Sequence, residues 1–380
     1  LSALDTCKLA RRRSVSCTGA LLLRRTGFPG HPRPFSGSAA RRAVMPAWVI
    51  DRYGTNEVLR FTKNAPFPVI QYPNEVTVKV HAAALKPHRH VSMRGEFITD
   101  PLNLNQAGSE FPLILGRDVS GVIMECGLDV ALLSNLEMSV AAIPPWKNRA
   151  VWLSLWVSHK PKSLSHPEAA ALPYTASTAW SAVVNTGGLN KDNCAKKRQV
   201  VLILGASGGV GTFAVQLVKA WGGHVTATCS GAAERLVREL GADAVVDYGT
   251  GPIQNQLSSE RFDLILDNVG GETERWALAL LKPWSGAKYV TLVTPFLRNT
   301  DTLGIADGMF QTGVTVATKA LKVVRGMPSS CLCLCASQVR PVVEAHYSFA
   351  QVPDAFLKVE GGHARGKTVI DIISDEHECV

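Results

Sequence analysis

The residues with the clearest chemistry are glycines. Val200 to Leu204 is a strand-like run that leads directly into Gly205-Ala206-Ser207-Gly208-Gly209-Val210-Gly211-Thr212 and then an amphipathic stretch. A dinucleotide pyrophosphate is held by main-chain N–H groups and the positive end of a helix, and only residues without side chains let the backbone come that close. Gly208 and Gly209 supply that approach, Gly211 lets helix pack tightly on strand, and Ser207 offers a hydroxyl to phosphate or ribose. A nucleoside triphosphatase loop needs Lys and then Ser or Thr after its last glycine. Here Gly211 is followed by Thr212 and Phe213, which disfavours that chemistry. The competing reading is a tight turn with no ligand.

Two later strand ends could complete such a site. NADH enzymes place an Asp or Glu at the end of the second strand to hold the ribose 2′-OH. The run His224 to Thr228 ends instead in Cys229-Ser230-Gly231, so no carboxylate repels a 2′-phosphate there. NADPH is therefore expected over NADH, with Ser230, Arg235 and Tyr248 near enough in sequence to accept the phosphate; Arg235 reads equally well as a solvated helix residue. Asp267-Asn268-Val269-Gly270-Gly271 follows the run Phe262 to Leu266. Ligands of open α/β sheets sit at the carboxyl ends of strands, which makes Asn268 a candidate cofactor contact. The competing reading is an Asx turn with glycines at positive φ.

These positions require a particular scaffold. Strand-like runs begin near Val200, His224, Ala244, Phe262 and Lys288 with amphipathic segments between them, an alternation that forces right-handed crossovers and a parallel, doubly wound sheet. In the first crossover helix Val210, Phe213, Ala214, Leu217, Val218 and Trp221 share one face, and Gly241 stands where a glycine ends the second. From Met45 to about Val130 the pattern is short and strand-like, punctuated by prolines, and Glu75 to His81 alternates so that one face is buried. That half reads as a partly open β-barrel. Ala169 to Val184 is helical with a bend or restart at Pro173.

A chain of 380 residues favours two domains. With 46% hydrophobic and 19% charged residues and no apolar run of about 18, a disordered or membrane-spanning chain is not expected. The net charge of +9 is concentrated: residues 1–44 hold nine basic residues against Asp5, and the remainder carries only +1. No global basic field is left to draw in nucleic acid. The Arg- and Ser-rich, acid-poor segment 1–44 has the composition of a mitochondrial presequence, with a disordered basic tail as the alternative. Nine cysteines include no Cys-x-x-Cys, and no His stands at metal spacing from Cys331, Cys333 and Cys335, so reduced thiols are expected and a metal site is not.

The chain resembles the zeta-crystallin-type quinone oxidoreductases of the medium-chain dehydrogenase/reductase superfamily. The resemblance runs from about Met45 to Ile373 and is carried by Phe111 to Gly121 (FPLILGRDVSG), by Ala169-Ala170-Ala171-Leu172-Pro173 with Thr178-Ala179-Trp180, by the glycine cradle, and by Gly366-Lys367-Thr368-Val369. It implies a GroES-like, partly open β-barrel substrate domain formed by residues 45–172 and 310–373, a Rossmann NADPH-binding domain over 173–309, and a tail over 374–380. It also implies NADPH, a quinone-like small molecule as acceptor, the mitochondrial matrix, a link to ubiquinone biosynthesis, and a membrane protein of the reticulon type as partner; a homodimer stays open. By position, the implied cofactor contacts are Ser207, Gly209, Val210, Ser230, Tyr248, Asn268, Leu292, His363, Ala364 and Arg365.

Zinc alcohol dehydrogenases share this architecture, but their Gly-His-Glu falls at Gly116-Arg117-Asp118, and an Arg cannot ligate zinc. Hydride transfer would then need an acceptor that is already easy to reduce, a quinone or activated enone. No side chain stands out as a general acid. Three segments depart from the family: Lys86-Pro87-His88-Arg89 replaces Asn-Pro-x-Asp, residues 131–157 lack a Pro-Gly-Asp-x-Val turn and its following strand, and residues 323–339 replace a helical stretch that covers the nicotinamide. Those departures favour a rival function, a nucleotide-binding mitochondrial interaction or assembly protein with little turnover.

Overall fold

The computed structural model of the protein describes residues 44–52, 54–85, 111–114, 116, 118–133, 137–140, 151–153, 157–293 and 339–373. The first strands are β1 (Val44–Ile50), β2 (Leu59–Pro66), β3 (Glu75–Leu85), β4 (Leu113–Ile114) and β5 (Asp118–Cys126). They are followed by β6 (Glu137–Val140), β7 (Val151–Leu153) and β8 (Val157–His159). Next come β9 (Val200–Leu204), β10 (His224–Cys229), β11 (Ala244–Asp247), β12 (Leu264–Asp267) and β13 (Lys288–Thr291). The chain then returns through β14 (Val343–Ser348) and β15 (Lys367–Asp371). The helices are α1 (His166–Ala170), α2 (Pro173–Trp180), α3 (Lys191–Lys197), α4 (Gly209–Ala220), α5 (Glu234–Glu239), α6 (Ile253–Gln256), α7 (Thr273–Ala277) and α8 (Val352–Glu360).

Strands β9 to β13 form a wholly parallel sheet in the order β11-β10-β9-β12-β13. Its strands read as continuous apolar runs because both faces are covered. Val201 and Ile203 of β9 pack with Ala176, Ala214 and Val218, while Leu202 and Leu204 pack on the other side with Leu257, Phe262 and Ala277. The order reverses beside β9, where one connection runs to β10 and β12 pairs on the opposite flank, and such a switch point opens a crevice at the carboxyl ends. Phe262 does not begin β12. Its N–H donates to Leu280 O and its carbonyl accepts from Lys282, so it is drawn to the connection before β13 instead of to β9.

The second sheet is mixed, in the order β14-β15-β3-β5-β6-β8 with β7 added on β3, and β2-β1-β4 forms a third. The two strands that follow the nucleotide sheet thus join strands that precede it, and the chain is an α/β molecule combining a GroES-like barrel with a Rossmann sheet. The alternation in β3 buries more than one face: Glu75 and Thr77 are buried along with Val76 and Val78. Both β5 and β7 flank this end, and the Glu75 carboxylate is satisfied by the N–H groups of Gln71 (2.7 Å) and Tyr72 (3.0 Å).

The expectation that residues 131–157 lack the strand that follows the family's turn is corrected by β6 (Glu137–Val140). Strand β6 pairs with β5 and β8, and the apolar run 150–157 contributes to two strands, β7 on β3 and β8 on β6. The helical stretch does restart at Pro173, the first residue of α2, after α1 is closed at its start by a Ser165–Glu168 capping box. It continues as a π-helical turn, Ser181–Thr186, which the periodicity did not reveal. No helix among the described residues is long and apolar enough to cross a membrane. Residues 1–43, the segment Lys86–Arg89 and residues 323–338 lie outside the described residues.

Candidate functional site

The cradle is built from β9 outward. Gly205 takes a φ of +69°, a turn that a side chain disfavours, and its N–H donates to the Thr228 hydroxyl at 3.2 Å. Ala206 N–H donates to Thr228 O at 2.9 Å, so the end of β10 buttresses the loop. α4 then begins at Gly209 with Gly208 as N-cap and no side chain capping it. Its first-turn N–H groups have no intrahelical acceptor and point toward the crevice with the helix dipole behind them. A Cβ on Gly211 would stand 2.4 Å from Gly205 O, whereas one on Gly208 would meet only that same oxygen at 3.7 Å. Gly211 is therefore a packing glycine, and Gly208 faces open space.

The returning segment before β15 reaches this loop. Gly366 N–H donates to Ser207 O at 2.9 Å, and Gly208 bridges Gly366 in parallel fashion. His363, at a φ of +57°, Ala364 and Arg365 directly precede Gly366 in the chain. Arg365 N–H is held by Glu344 at 2.9 Å, while its exposed guanidinium has no ion pair among the described residues. Below, Lys367 lies against Gly209 and carries its ammonium to Asp118 Oδ2 at 3.2 Å, both side chains almost wholly buried.

At the end of β10 the half-buried Ser230 makes no side-chain cap to the turn it begins, and Tyr248 N–H donates to Cys229 O at 3.2 Å, which places the two residues at adjoining strand ends. The Tyr248 side chain is 48% exposed. Arg235 is separate from them: it pairs with Glu239 at 2.8 Å with 92% of its side chain exposed, the solvated helix position. The sequence reading also omitted a carboxylate. Asp247 ends β11 opposite Cys229, and its Oδ2 would lie 2.6 Å from a Cβ on Gly231. Burial, then the charges of Asp247 and Glu234, push the Cys229 thiol up to about 11.

Across the switch point, Asn268 N–H and Nδ2 both reach Leu204 O, at 3.4 and 2.8 Å. That carbonyl can only accept, so the amide is fixed with Oδ1 directed away, where it is buried without a hydrogen-bond partner among the described residues. A buried acceptor left unmade is costly and fits a ligand donor. The Asx turn exists, but Asp267 makes it, accepting from Val269 N–H (2.8 Å) and Gly270 N–H (3.0 Å), which leaves Asn268 unused by the turn. Leu292 follows β13 directly, its N–H on Asp267 O at 2.9 Å.

An uncapped helix start, an open glycine and an orphaned amide oxygen at one switch point fit a nicotinamide dinucleotide. Among the described residues no three of His, Cys, Asp or Glu gather, and Asp118 is committed to Lys367. Thr228, Lys367 and Asp267 are functional supports that the glycine pattern did not reveal. A lone Lys in the apolar strand Thr368-Val369-Ile370 was the available signal for a buried ion pair.

A family profile described as zinc-binding dehydrogenase matches residues 240–370. The chain is 63% identical over 376 residues to a Danio rerio protein named NAD(P)H oxidoreductase RTN4IP1, mitochondrial, covering 92% of this chain and 96% of that one. It is 31% identical over 351 residues to 2-methylene-furan-3-one reductase of Solanum lycopersicum, covering 88% and 81%. In fold it matches the quinone oxidoreductase of Coxiella burnetii with a TM-score of 0.69 at 24% identity, over 87% of this chain and 100% of that one. Similarity of this extent, on a Rossmann cradle joined to a GroES-like barrel, makes the chain a member of the medium-chain dehydrogenase/reductase family, in the group of NAD(P)H oxidoreductases that the Danio rerio protein represents.

Proposed function

We propose that this oxidoreductase passes hydride from NADPH to a quinone or related conjugated carbonyl without zinc, as a mitochondrial matrix protein linked to ubiquinone biosynthesis. The observation that carries the nucleotide part is the orphaned Asn268 Oδ1 facing the switch point beside the uncapped start of α4. Bound NADPH would supply the hydride. The N–H groups of Gly209 and Val210 would hold the pyrophosphate with Ser207, and Arg365 would add a cation beside it. Asn268 Oδ1 would accept from a carboxamide or ribose donor, with Leu292 at the neighbouring strand end. Ser230 and Tyr248 would meet the 2′-phosphate, with one Asp247 oxygen accepting from Gly249 N–H at 2.8 Å and the other lying beside Gly231.

The acceptor follows from the donor set. Without a Lewis acid to polarise a simple ketone, the residues can only align an acceptor that is already electron-poor. The reductase name of the tomato relative and the name of the Danio rerio relative support this class, and the mitochondrial name of the latter supports the compartment. The reticulon-type partner draws support from a Caenorhabditis elegans relative named reticulon-4-interacting protein 1, mitochondrial.

The deciding experiment is loss of NADPH absorbance with a soluble quinone, run beside NADH. Quinone-dependent oxidation with kcat/KM at least about tenfold higher for NADPH is expected, the scale of one lost charge-assisted hydrogen bond. Tight NADPH binding with no acceptor-dependent oxidation would instead favour the interaction or assembly role.

A further inference from the structure

Two loops flank the proposed nicotinamide position, one carrying Asn268 and the other Leu292, and a single phenol joins them. Tyr289, in the middle of β13, donates its hydroxyl to Asp267 Oδ2 at 2.5 Å. Asp267 is fully buried, and its other oxygen holds the N–H groups of Val269 and Gly270, the residues directly after Asn268. Thr291 is the last residue of β13, and its Oγ1 accepts from Val293 N–H at 3.2 Å. Leu292 lies between those two residues and is itself tied by its N–H to Asp267 O. Gly270, at a φ of +71°, closes the arrangement, because a Cβ there would stand 2.6 Å from Val293 Cβ.

We propose that Tyr289 is a positioning residue for the nicotinamide pocket, its hydroxyl reaching from β13 to brace, through Asp267, the two strand-end loops that present Asn268 and Leu292. This rests on the reading of Asn268 as a cofactor contact. The brace works because a carboxylate removed from water must keep its donors: with the phenol gone, Asp267 Oδ2 has to draw on its neighbours, and the two main-chain N–H groups on its other oxygen are the nearest it has. The loop then loosens and Asn268 Oδ1 loses its fixed aim. Burial, and then the bond to Asp267, hold the phenol protonated far above the usual tyrosine range, so the donor persists across all working pH.

The test is a double-mutant cycle on NADPH dissociation, read by fluorescence titration of the purified full chain, with thermal unfolding measured in parallel. Asn268→Ala is expected to weaken NADPH about tenfold. Tyr289→Phe, which keeps the ring, is expected to weaken it about fivefold while the pair together binds no worse than Asn268→Ala alone. Additive losses, or wild-type affinity for Tyr289→Phe, would overturn the brace while leaving the site reading intact. Wild-type affinity for Asn268→Ala would overturn the site reading and the brace with it. Should Tyr289→Phe not fold, Asp267→Asn, which replaces the carboxylate partner of the phenol by a neutral amide, enters the cycle in its place, and the same two outcomes decide.

Discussion

Two glycines of one loop separate packing from recognition. Gly211 has no room for a methyl group, since Gly205 O and Ala206 Cα would lie 2.4 and 2.6 Å from it, and both are main-chain atoms that cannot step aside. Gly208 has ordinary helix-entry angles, φ −74° and ψ 168°, and free space for a Cβ. Gly211→Ala is therefore expected to lower folding stability by about 1–3 kcal/mol along with NADPH affinity. Gly208→Ala is expected to leave apo stability within about 0.5 kcal/mol and to weaken NADPH at least about tenfold, because its methyl occupies space that the pyrophosphate needs. Chemical denaturation of both variants beside calorimetric NADPH titration checks the split; equal behaviour of the two would deny Gly208 a ligand-facing role. The cradle was legible in the sequence because glycine identity is itself the signal. The brace was not, since Tyr289 and Asp267 become neighbours only through the pairing of β12 with β13.

At the scale of elements, β15 connects the barrel sheet to the cradle. It pairs with β3 and β14, while its first residues carry Gly366 onto Ser207 and Lys367 beneath Gly209. The ammonium of Lys367 is 2% exposed and stabilised by Asp118 on β5, so each charge is tolerable through the other. Lys367→Met is expected to cost about 3–5 kcal/mol in urea denaturation by stranding the carboxylate. Lys367→Met with Asp118→Leu is expected to recover most of it, since two packed apolar chains replace a desolvated pair. A single variant no less stable than the wild type would mean the pair contributes nothing here. Periodicity located β9, β10, β11 and β13 at their starts, because parallel strands covered on both faces leave an unbroken apolar signature. It misplaced β12 by treating Phe262 as a strand residue, and missed β6, whose Glu137-Met138-Ser139-Val140 is too short and mixed to stand out.

For the molecule as a whole, alkaline stability reports on the nucleotide sheet. Cys194 and Cys229 are fully buried in the core shared by α2, α4 and that sheet, and burial pushes both thiols up to about 11 from an ordinary value of 9.0. Each thiol is thus harder to ionise folded than unfolded. Below about pH 8 both states keep the proton and no pH dependence arises from them. Between about pH 8 and 11 the unfolded chain releases the proton first, so the folded state loses stability as pH rises, by about 1–1.5 kcal/mol per thiol at pH 10. The variant Cys194→Ala with Cys229→Ala removes this contribution while every other titrating group stays. The stability difference between wild type and variant, measured by urea denaturation from pH 7 to 10, is therefore expected to be flat to about pH 8 and to shift by about 2–3 kcal/mol against the wild type by pH 10. A difference that stays constant through pH 10 would place both thiols in contact with water, and would require the packing beneath the cradle to be looser than the closed layer to which Ala214, Val218, Val225 and Val237 belong.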